Sequence, residues 1–256
     1  MPELPEVETF RRYIERTSLG RPVLRMEVRN DVVIRGAERG ELTAAVEGSE
    51  FLSVRRHGKR LFLELSKGGW LTWHFGMTGR PAWTDGAEER FTRALFVFPT
   101  GSLAFVDPRM LGRLGMAASP ERYIEERALG PDALEISCGK FVDTFRNVRG
   151  PIKAALMDQR RVAGVGNLYA DEMLFQCRLG PRVEARSLSE KDLRCLHRTM
   201  RRVLRRSIDV GTDFDRLPPT YLLRCRGRGA ACPRCGSALV TETVGGRTSY
   251  FCADCL

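Results

Sequence analysis

No stretch of the 256-residue chain reaches the roughly 18 consecutive apolar residues of a membrane-spanning helix. The first residues are acidic and carry no apolar core, which excludes a secretory signal there. Both absences lead to the expectation of a cytoplasmic protein with no membrane partner. Thiols stay reduced in that compartment, so the eight cysteines are read as metal ligands or buried thiols and not as a disulfide framework. Internal repeats and low-complexity segments are lacking as well. Acidic side chains are in deficit, 32 against 42 basic ones, for a net charge of +10 and a pI near 9.6. An excess of that size points to a polyanionic partner, most often nucleic acid and sometimes an anionic membrane surface. A merely basic globular protein is the plain alternative. What is present is otherwise ordinary: 43% hydrophobic and 29% charged residues, enough for a real core and a length that admits two domains.

Residues 3 to about 19 read as a helix. Pro5 suits a first turn, where a missing N–H costs nothing, and Glu6 and Glu8 complement the positive end of the dipole. Val7, Phe10, Tyr13, Ile14 and Thr17 share a face, and Gly20 ends it. From about 22 to 118 the pattern changes to short strands. L-F-L-E-L at 61–65 turns through Gly68-Gly69 into W-L-T-W-H-F at 70–75, and Leu95–Phe98 and Leu103–Val106 read as a hairpin. Such spacing predicts a sandwich or barrel. Beyond Ala118 the chain becomes helical, with Ser119 as N-cap before Pro120. Two short helices, 152–158 and 168–177, bracket the glycine-rich turn V-A-G-V-G-N at 162–167. The helix from Ser189 to about Asp209 sets Leu193, Leu196, Met200, Val203, Leu204 and Ile208 on an apolar stripe, opposite a face of six arginines from Arg194 to Arg206. Solvation and nucleic-acid contact account for that basic face equally well.

C-P-R-C-G at 232–236 and C-A-D-C at 252–255 form two C-x2-C pairs sixteen residues apart, the four-thiolate zinc pattern. Leu239–Val244 and Thr248–Phe251 flank Gly245-Gly246 and predict a hairpin that brings Cys232, Cys235, Cys252 and Cys255 together. Four thiolates fill a tetrahedral ion and leave no position for water, so the expected role is one structural Zn2+, with redox use of a C-x2-C pair as the runner-up. Arg234 and Arg247 would be displayed on this hairpin toward DNA. Cys138, Cys177, Cys195 and Cys225 lack partners at ligand spacing and are read as buried thiols.

One feature of the start is not explained by a helix lead-in: in M-P-E-L-P-E-V-E, Pro5, Glu6 and Glu8 already fill that role, leaving Pro2 and Glu3 over. With R-R-H-G-K at 55–59, H-F-G-M-T-G at 74–79, D-P-R at 107–109, I-K-A-A-L-M-D-Q at 152–159, A-G-V-G-N-L-Y-A-D-E at 163–172 and the four cysteines, the chain resembles the bacterial formamidopyrimidine-DNA glycosylase and endonuclease VIII family over nearly its whole length. The resemblance implies an α+β protein: an N-terminal helix with an antiparallel β-sandwich (1–118), a helical helix–two-turn–helix domain (119–215) and a zinc β-hairpin (216–256). It implies a monomeric base-excision-repair enzyme acting on damaged double-stranded DNA in the bacterial nucleoid. Pro2, freed by removal of Met1, would be the nucleophile at C1′ of the deoxyribose. Glu3 would be the adjacent acid/base, Glu6 a positioning or relay group, and Lys59 the lysine approaching the lesion's phosphate. β- and then δ-elimination would follow. Asn167 and Arg247 match the residues that grip backbone phosphates, Lys153 lies before the turn on the DNA side, and Glu172 matches a carboxylate closing the active-site floor. Met77, Arg109 and Leu111 correspond to the residues that fill the gap left by a flipped nucleotide, although Met77 and Leu111 also suit a core.

The chain departs from relatives that excise 8-oxoguanine in three places. Leu111 stands where many carry an aromatic wedge. The stretch 213–224 is shorter than their lesion lid, and R-C-R-G-R-G at 224–229 replaces a tyrosine–glycine–arginine form. The expected substrate is therefore an oxidised pyrimidine, a ring-opened purine or an abasic site. A non-catalytic damaged-DNA-binding zinc protein is the alternative from another class.

Overall fold

The computed structural model describes residues 1–87 and 89–256 and divides them into two compact units. Met1–Pro2 and Glu6–Ala128 form the first; Glu3–Pro5 and Leu129–Leu256 form the second.

The helix α1 (Leu4–Ser18) matches the predicted span within a residue. In the first unit it contributes fully buried Val7 and Ile14, and the Tyr13 hydroxyl accepts a hydrogen bond from the Trp83 N–H at 2.7 Å. Eight strands follow as two antiparallel sheets. One has the order β1-β6-β7-β5 (Arg25–Val28, Thr92–Phe98, Gly101–Val106, Arg80–Thr84); the other runs β2-β3-β4-β8 (Phe51–His57, Arg60–Leu65, Trp70–His74, Arg113–Ala117). Alternation explains the faces of β3. Leu61, Leu63 and Leu65 point into the core shared with Phe96, Leu103 and Phe105 of the other sheet. Phe62 turns to the opposite face, where its ring meets Tyr123 edge-on at 5.3 Å. Trp73 lies at the centre of that core, stacked on Phe96 at 5.4 Å and edge-to-face with Phe75 and Phe105. The sandwich predicted from the turn spacing is present. The helix α2 (Arg39–Val46), inside the region read as strands, was not predicted. Its signal is the pair Glu38 and Glu41, whose side chains each accept from the other's end of the first turn as a capping box.

After Ser119, which caps α3 (Pro120–Glu126) as expected, the second unit contains α4 (Cys138–Phe145), α5 (Ile152–Met157), α6 (Asn167–Cys177), α7 (Glu190–Asp209) and the hairpin β9–β10 (Val240–Val244, Arg247–Phe251). Ser189 and Asp192 close α7 with a capping box, and all six residues of its apolar stripe are buried. Arg198, Arg202, Arg205 and Arg206 on its other face are exposed, and Arg194 pairs with Glu190 at 2.6 Å. The hairpin turn needs left-handed backbone at two consecutive residues, φ +57° at Gly245 and +71° at Gly246, which glycine adopts without strain. No helix among the described residues is long and apolar enough to cross a membrane.

Removing the Trp73 ring would open the centre of the sandwich. Trp73→Ala is expected to destabilise the first unit by roughly 3–5 kcal/mol. Trp73→Phe, which keeps an aromatic ring and removes an indole N–H that has no hydrogen-bond partner, is expected to cost far less. Urea unfolding of the two variants provides the comparison.

Candidate active site and metal centre

In the second unit the glycine-rich turn is built by one side chain. Gln159 donates through Nε2 to the carbonyls of Met157 and Val165, both at 2.8 Å, and its Oε1 accepts from the Gly164 N–H at 3.0 Å. The turn so fixed delivers the start of α6, whose first N–H groups have no partner inside the helix. Glu3 takes two of them. Its Oε2 accepts from Gly166 N–H at 2.6 Å and its Oε1 from Leu168 N–H at 2.9 Å, and only 1% of Glu3 is exposed. The helix dipole favours the ionised carboxylate at this end. A further bond, from Leu4 N–H to the Gly164 carbonyl at 3.1 Å, ties the same chain end to the turn. Glycine at 166 is a steric requirement: a Cβ there would lie 2.6 Å from Glu3 Oε1.

Asn167 opens α6 half-buried and donates from Nδ2 to the Thr248 carbonyl on the hairpin at 3.1 Å. Arg247, at the start of β10, is exposed. Lys153 departs from its expected place. It is fully buried on α5, its ammonium held by Asp171 Oδ1 at 2.7 Å, Ser249 Oγ at 2.7 Å and the Thr248 carbonyl at 3.2 Å. It is thus closed off from solvent. Burial lowers its pKa, and the Asp171 charge opposes that shift. Asp171 Oδ2 also accepts from Arg226 at 2.8 and 3.0 Å and from the Tyr250 N–H at 3.1 Å. One buried carboxylate therefore joins α5, α6, the 224–229 segment and the zinc hairpin. Sequence reasoning passed over Asp171, whose only signal was its place in Y-A-D-E.

Glu172 is fully buried, and its two oxygens accept from Gln176 Nε2 at 2.7 Å and Leu223 N–H at 2.8 Å. Burial outweighs these bonds and pushes its pKa up to about 7. It anchors the segment after α7, where Tyr221, Leu222 and Leu223 are buried.

The four cysteines meet as predicted: all four sulfurs lie within 4.8 Å of one another, with Cys232–Cys255 at 3.8 Å and Cys235–Cys252 at 3.4 Å. Zn–S bonds of 2.3 Å in a tetrahedron set sulfurs about 3.8 Å apart, so the cluster fits one structural zinc ion. Arg234, expected on the DNA side, instead folds back, its guanidinium 4.5 Å from the Phe175 ring and donating to the Phe175 carbonyl at 3.2 Å. The remaining cysteines are half-buried, with Cys177 and Cys195 sulfurs 3.3 Å apart.

In the first unit Lys59 is 8% exposed in the turn between β2 and β3. Arg56 braces this turn, donating to the Gly58 carbonyl at 3.2 Å and to Glu8 of α1 at 3.0 Å. Glu6 stands half-buried in the first turn of α1. Pro2 is half-buried, while Met1 is 45% exposed. His74 was quoted in a motif and not singled out. Its burial, with the charges of Arg60, Lys59 and Arg113, pushes its pKa down to about 4. The ring is neutral near pH 7, and Gly76 N–H donates to Nδ1 at 3.3 Å, leaving Nε2–H as donor.

The three gap-filling candidates share one organiser, fully buried Asp107. Its Oδ1 accepts from Thr78 Oγ1 at 2.6 Å and Arg109 N–H at 3.2 Å, and its Oδ2 from Gly112 N–H at 2.7 Å. This binds the Met77–Thr78 turn to the 107–112 loop. Arg109 and Leu111 are exposed and Met77 is half-buried, so none of the three is a core residue.

Residues 1–114 match the formamidopyrimidine-DNA glycosylase N-terminal domain, 129–216 the H2TH domain of the same glycosylase, and 229–256 the zinc finger found in FPG and IleRS. The chain is 39% identical over 272 residues to formamidopyrimidine-DNA glycosylase of Thermus thermophilus, covering 100% of this chain and 98% of that one. It is 34% identical over 271 residues to the enzyme of the same name from Desulfitobacterium hafniense, covering 100% and 99%. Among solved structures, MutM (Fpg) from Thermus thermophilus superimposes with a TM-score of 0.84 at 37% identity over 99% of this chain and 98% of that one. Lactococcus lactis Fpg bound to DNA with an AP site gives 0.91 at 27% identity, covering 99% of both chains.

The raised Glu172 pKa carries a pH signature. A carboxyl protonated more readily when folded contributes stability that is complete below its ordinary range and is lost as pH rises through about 7. Glu172→Gln removes that dependence. The difference in melting temperature between the variant and the wild type is expected to move in the variant's favour from pH 5 to pH 8, read by calorimetry.

Proposed function

The chain belongs to the formamidopyrimidine-DNA glycosylase family, and from that premise we propose that it is a bifunctional DNA glycosylase/AP lyase that removes oxidised or ring-opened bases and cuts the strand at the same site. The observation that carries this reading is the Glu3 carboxylate, buried and held by two backbone N–H groups directly beside Pro2 in the chain. With Met1 removed, Pro2 presents a secondary amine. Its nitrogen bonds to C1′, the C1′–N bond to the base breaks, and the base leaves with a proton. Glu3, ionised at rest, takes the proton that the Pro2 nitrogen gives up on bonding to C1′ and passes it to the ring oxygen as the sugar ring opens to the iminium. The iminium acidifies C2′–H; loss of that proton expels the 3′ phosphate, and a second elimination expels the 5′ phosphate.

The binding groups have complementary roles in this reading. Asn167, Arg247 and Lys59 take backbone phosphates, aided by the net charge of +10. Neutral His74 adds a hydrogen-bond donor that carries no charge. Met77, Arg109 and Leu111 fill the space of the everted nucleotide, offsetting part of an unstacking cost of a few kcal/mol. Lys153 acts indirectly: with Asp171 it sets the zinc hairpin, and through Thr248 the amide of Asn167. Glu172 positions the segment after α7. The three-part division at 118 and 215 belongs to the same reading.

Borohydride is expected to trap a covalent adduct between the protein and an abasic-site duplex. An N-terminal extension that blocks Pro2 should abolish trapping and nicking while sparing binding; full nicking with Met1 retained, by mass spectrometry, would overturn the reading. A non-catalytic damage sensor would bind equally well after Pro2 and Glu3 substitution and never nick.

Gly166→Ala tests the position of Glu3 without touching a reacting group. The added Cβ, 2.6 Å from Oε1, must displace the carboxylate. Single-turnover nicking is expected to fall on the order of 100-fold, because ångström-scale misplacement costs that much.

A further inference from the structure

Four of the eight cysteines meet at the zinc cluster. Among the described residues outside it, one further pair of sulfurs is in contact: Cys177 and Cys195, 3.3 Å apart in space and 18 positions apart in the chain. Cys177 is the last residue of α6, and Cys195 lies in the second turn of α7. Both are half-buried and so keep access for a small solute. Packing alone does not call for sulfur at both positions, and the surroundings are not purely apolar. Cys177 Sγ–H donates to Thr199 Oγ1 at 3.4 Å, and Arg198 and Arg202 stand exposed on the helix that carries Cys195. Joining the sulfurs requires an approach of about 1.3 Å, to the bond length of about 2.05 Å. That movement falls on a helix end. Arg178, next after Cys177, already leaves the helix with left-handed backbone at φ +56°, and a terminal residue shifts at less cost than one inside a helix.

We propose that Cys177 and Cys195 form an oxidisable dithiol, a modification site at which hydrogen peroxide converts two thiols into a disulfide linking the end of α6 to α7. Burial pushes the Cys177 pKa up to about 12, against its bond to Thr199 and the charge of Arg202, so Cys177 stays a thiol and Cys195 meets the oxidant first. The Cys195 sulfur gives up its proton and attacks one peroxide oxygen; the O–O bond breaks, and the departing hydroxide takes the proton as water. A sulfenic acid remains. The Cys177 sulfur then attacks the Cys195 sulfur, the S–O bond breaks, and the second hydroxide leaves as water with the Cys177 proton. Two thiols are oxidised and one peroxide is reduced to two waters. The link anchors the far end of α6, whose first turn holds Glu3. It is reversible, because a dithiol reductant exchanges with it and returns both thiols. None of the groups assigned to base removal or strand cutting takes part in this chemistry.

For the test, full-length, zinc-loaded protein is titrated with hydrogen peroxide, quenched in acid, alkylated and mapped by mass spectrometry, while a chromogenic chelator reports released zinc. A linked peptide joining Cys177 to Cys195 is expected to dominate the oxidised species while most zinc is still bound. Dithiothreitol should return both thiols to alkylation. The link closes a span of 18 positions, so the melting temperature of the oxidised protein is expected to rise by roughly 5 °C. Cys195→Ser and Cys177→Ala should show neither the link nor the rise, each being first checked for bound zinc and helical content. Mapping on the wild type decides the proposal even where a variant fails to fold. Zinc loss with Cys177 and Cys195 still open to alkylation, a sulfinic acid at Cys195 without the linked peptide, or a link that leaves the melting temperature unchanged would overturn it.

Discussion

Two backbone N–H groups at the start of α6 hold the Glu3 carboxylate, and much of the second unit serves that contact. A carboxylate almost wholly out of water needs its oxygens filled, and the free donors of a helix start fill them at little conformational cost. The donors must first be presented. Gln159 does this by spanning the turn with three hydrogen bonds, and Gly166 does it by having no side chain where Glu3 lies. A proton-transfer group gains precision when its partners are backbone atoms, because backbone has no rotamers to lose.

The same economy governs the zinc hairpin. Lys153 and Asp171 form an ion pair inside the protein, where desolvation largely cancels attraction, so the pair is weak evidence for stability. Its yield is position. Asp171 gathers Lys153, Arg226 and the Tyr250 N–H, and Lys153 in turn holds Ser249 and Thr248. A lysine free to reach DNA could not do this. The hairpin strand that carries Arg247 is therefore fixed from two ends, by the four-thiolate cluster and by this buried network.

The elements most legible in the sequence were those with a strict period or spacing: the stripe of α7 from Leu193 to Ile208, the alternation of β3, and the two C-x2-C pairs. Each reflects a constraint local to one segment. The burial of Lys153 and the fold-back of Arg234 were not legible for the opposite reason. A basic side chain reads as exposed unless its partner is known, and Asp171 and the Phe175 ring lie 18 and 59 residues away. Asp107 and Asp171 escaped notice as organisers because a carboxylate's acceptors become visible only once the donors from several segments converge. The short helix α2 was missed because its N-cap, Glu38, is an uncommon residue in that role, so the usual Glu41 at the third helical position had no cap before it to mark the start.

Glu3 and Lys59 share one property. Both lie on fixed backbone: Glu3 against α6, and Lys59 in a turn braced by Arg56 and Glu8. The segment after α7 is packed down, with Tyr221, Leu222 and Leu223 buried and the Leu223 N–H engaged by Glu172. On the sandwich, the turn that carries Met77 and the loop that carries Arg109 and Leu111 are held around Asp107.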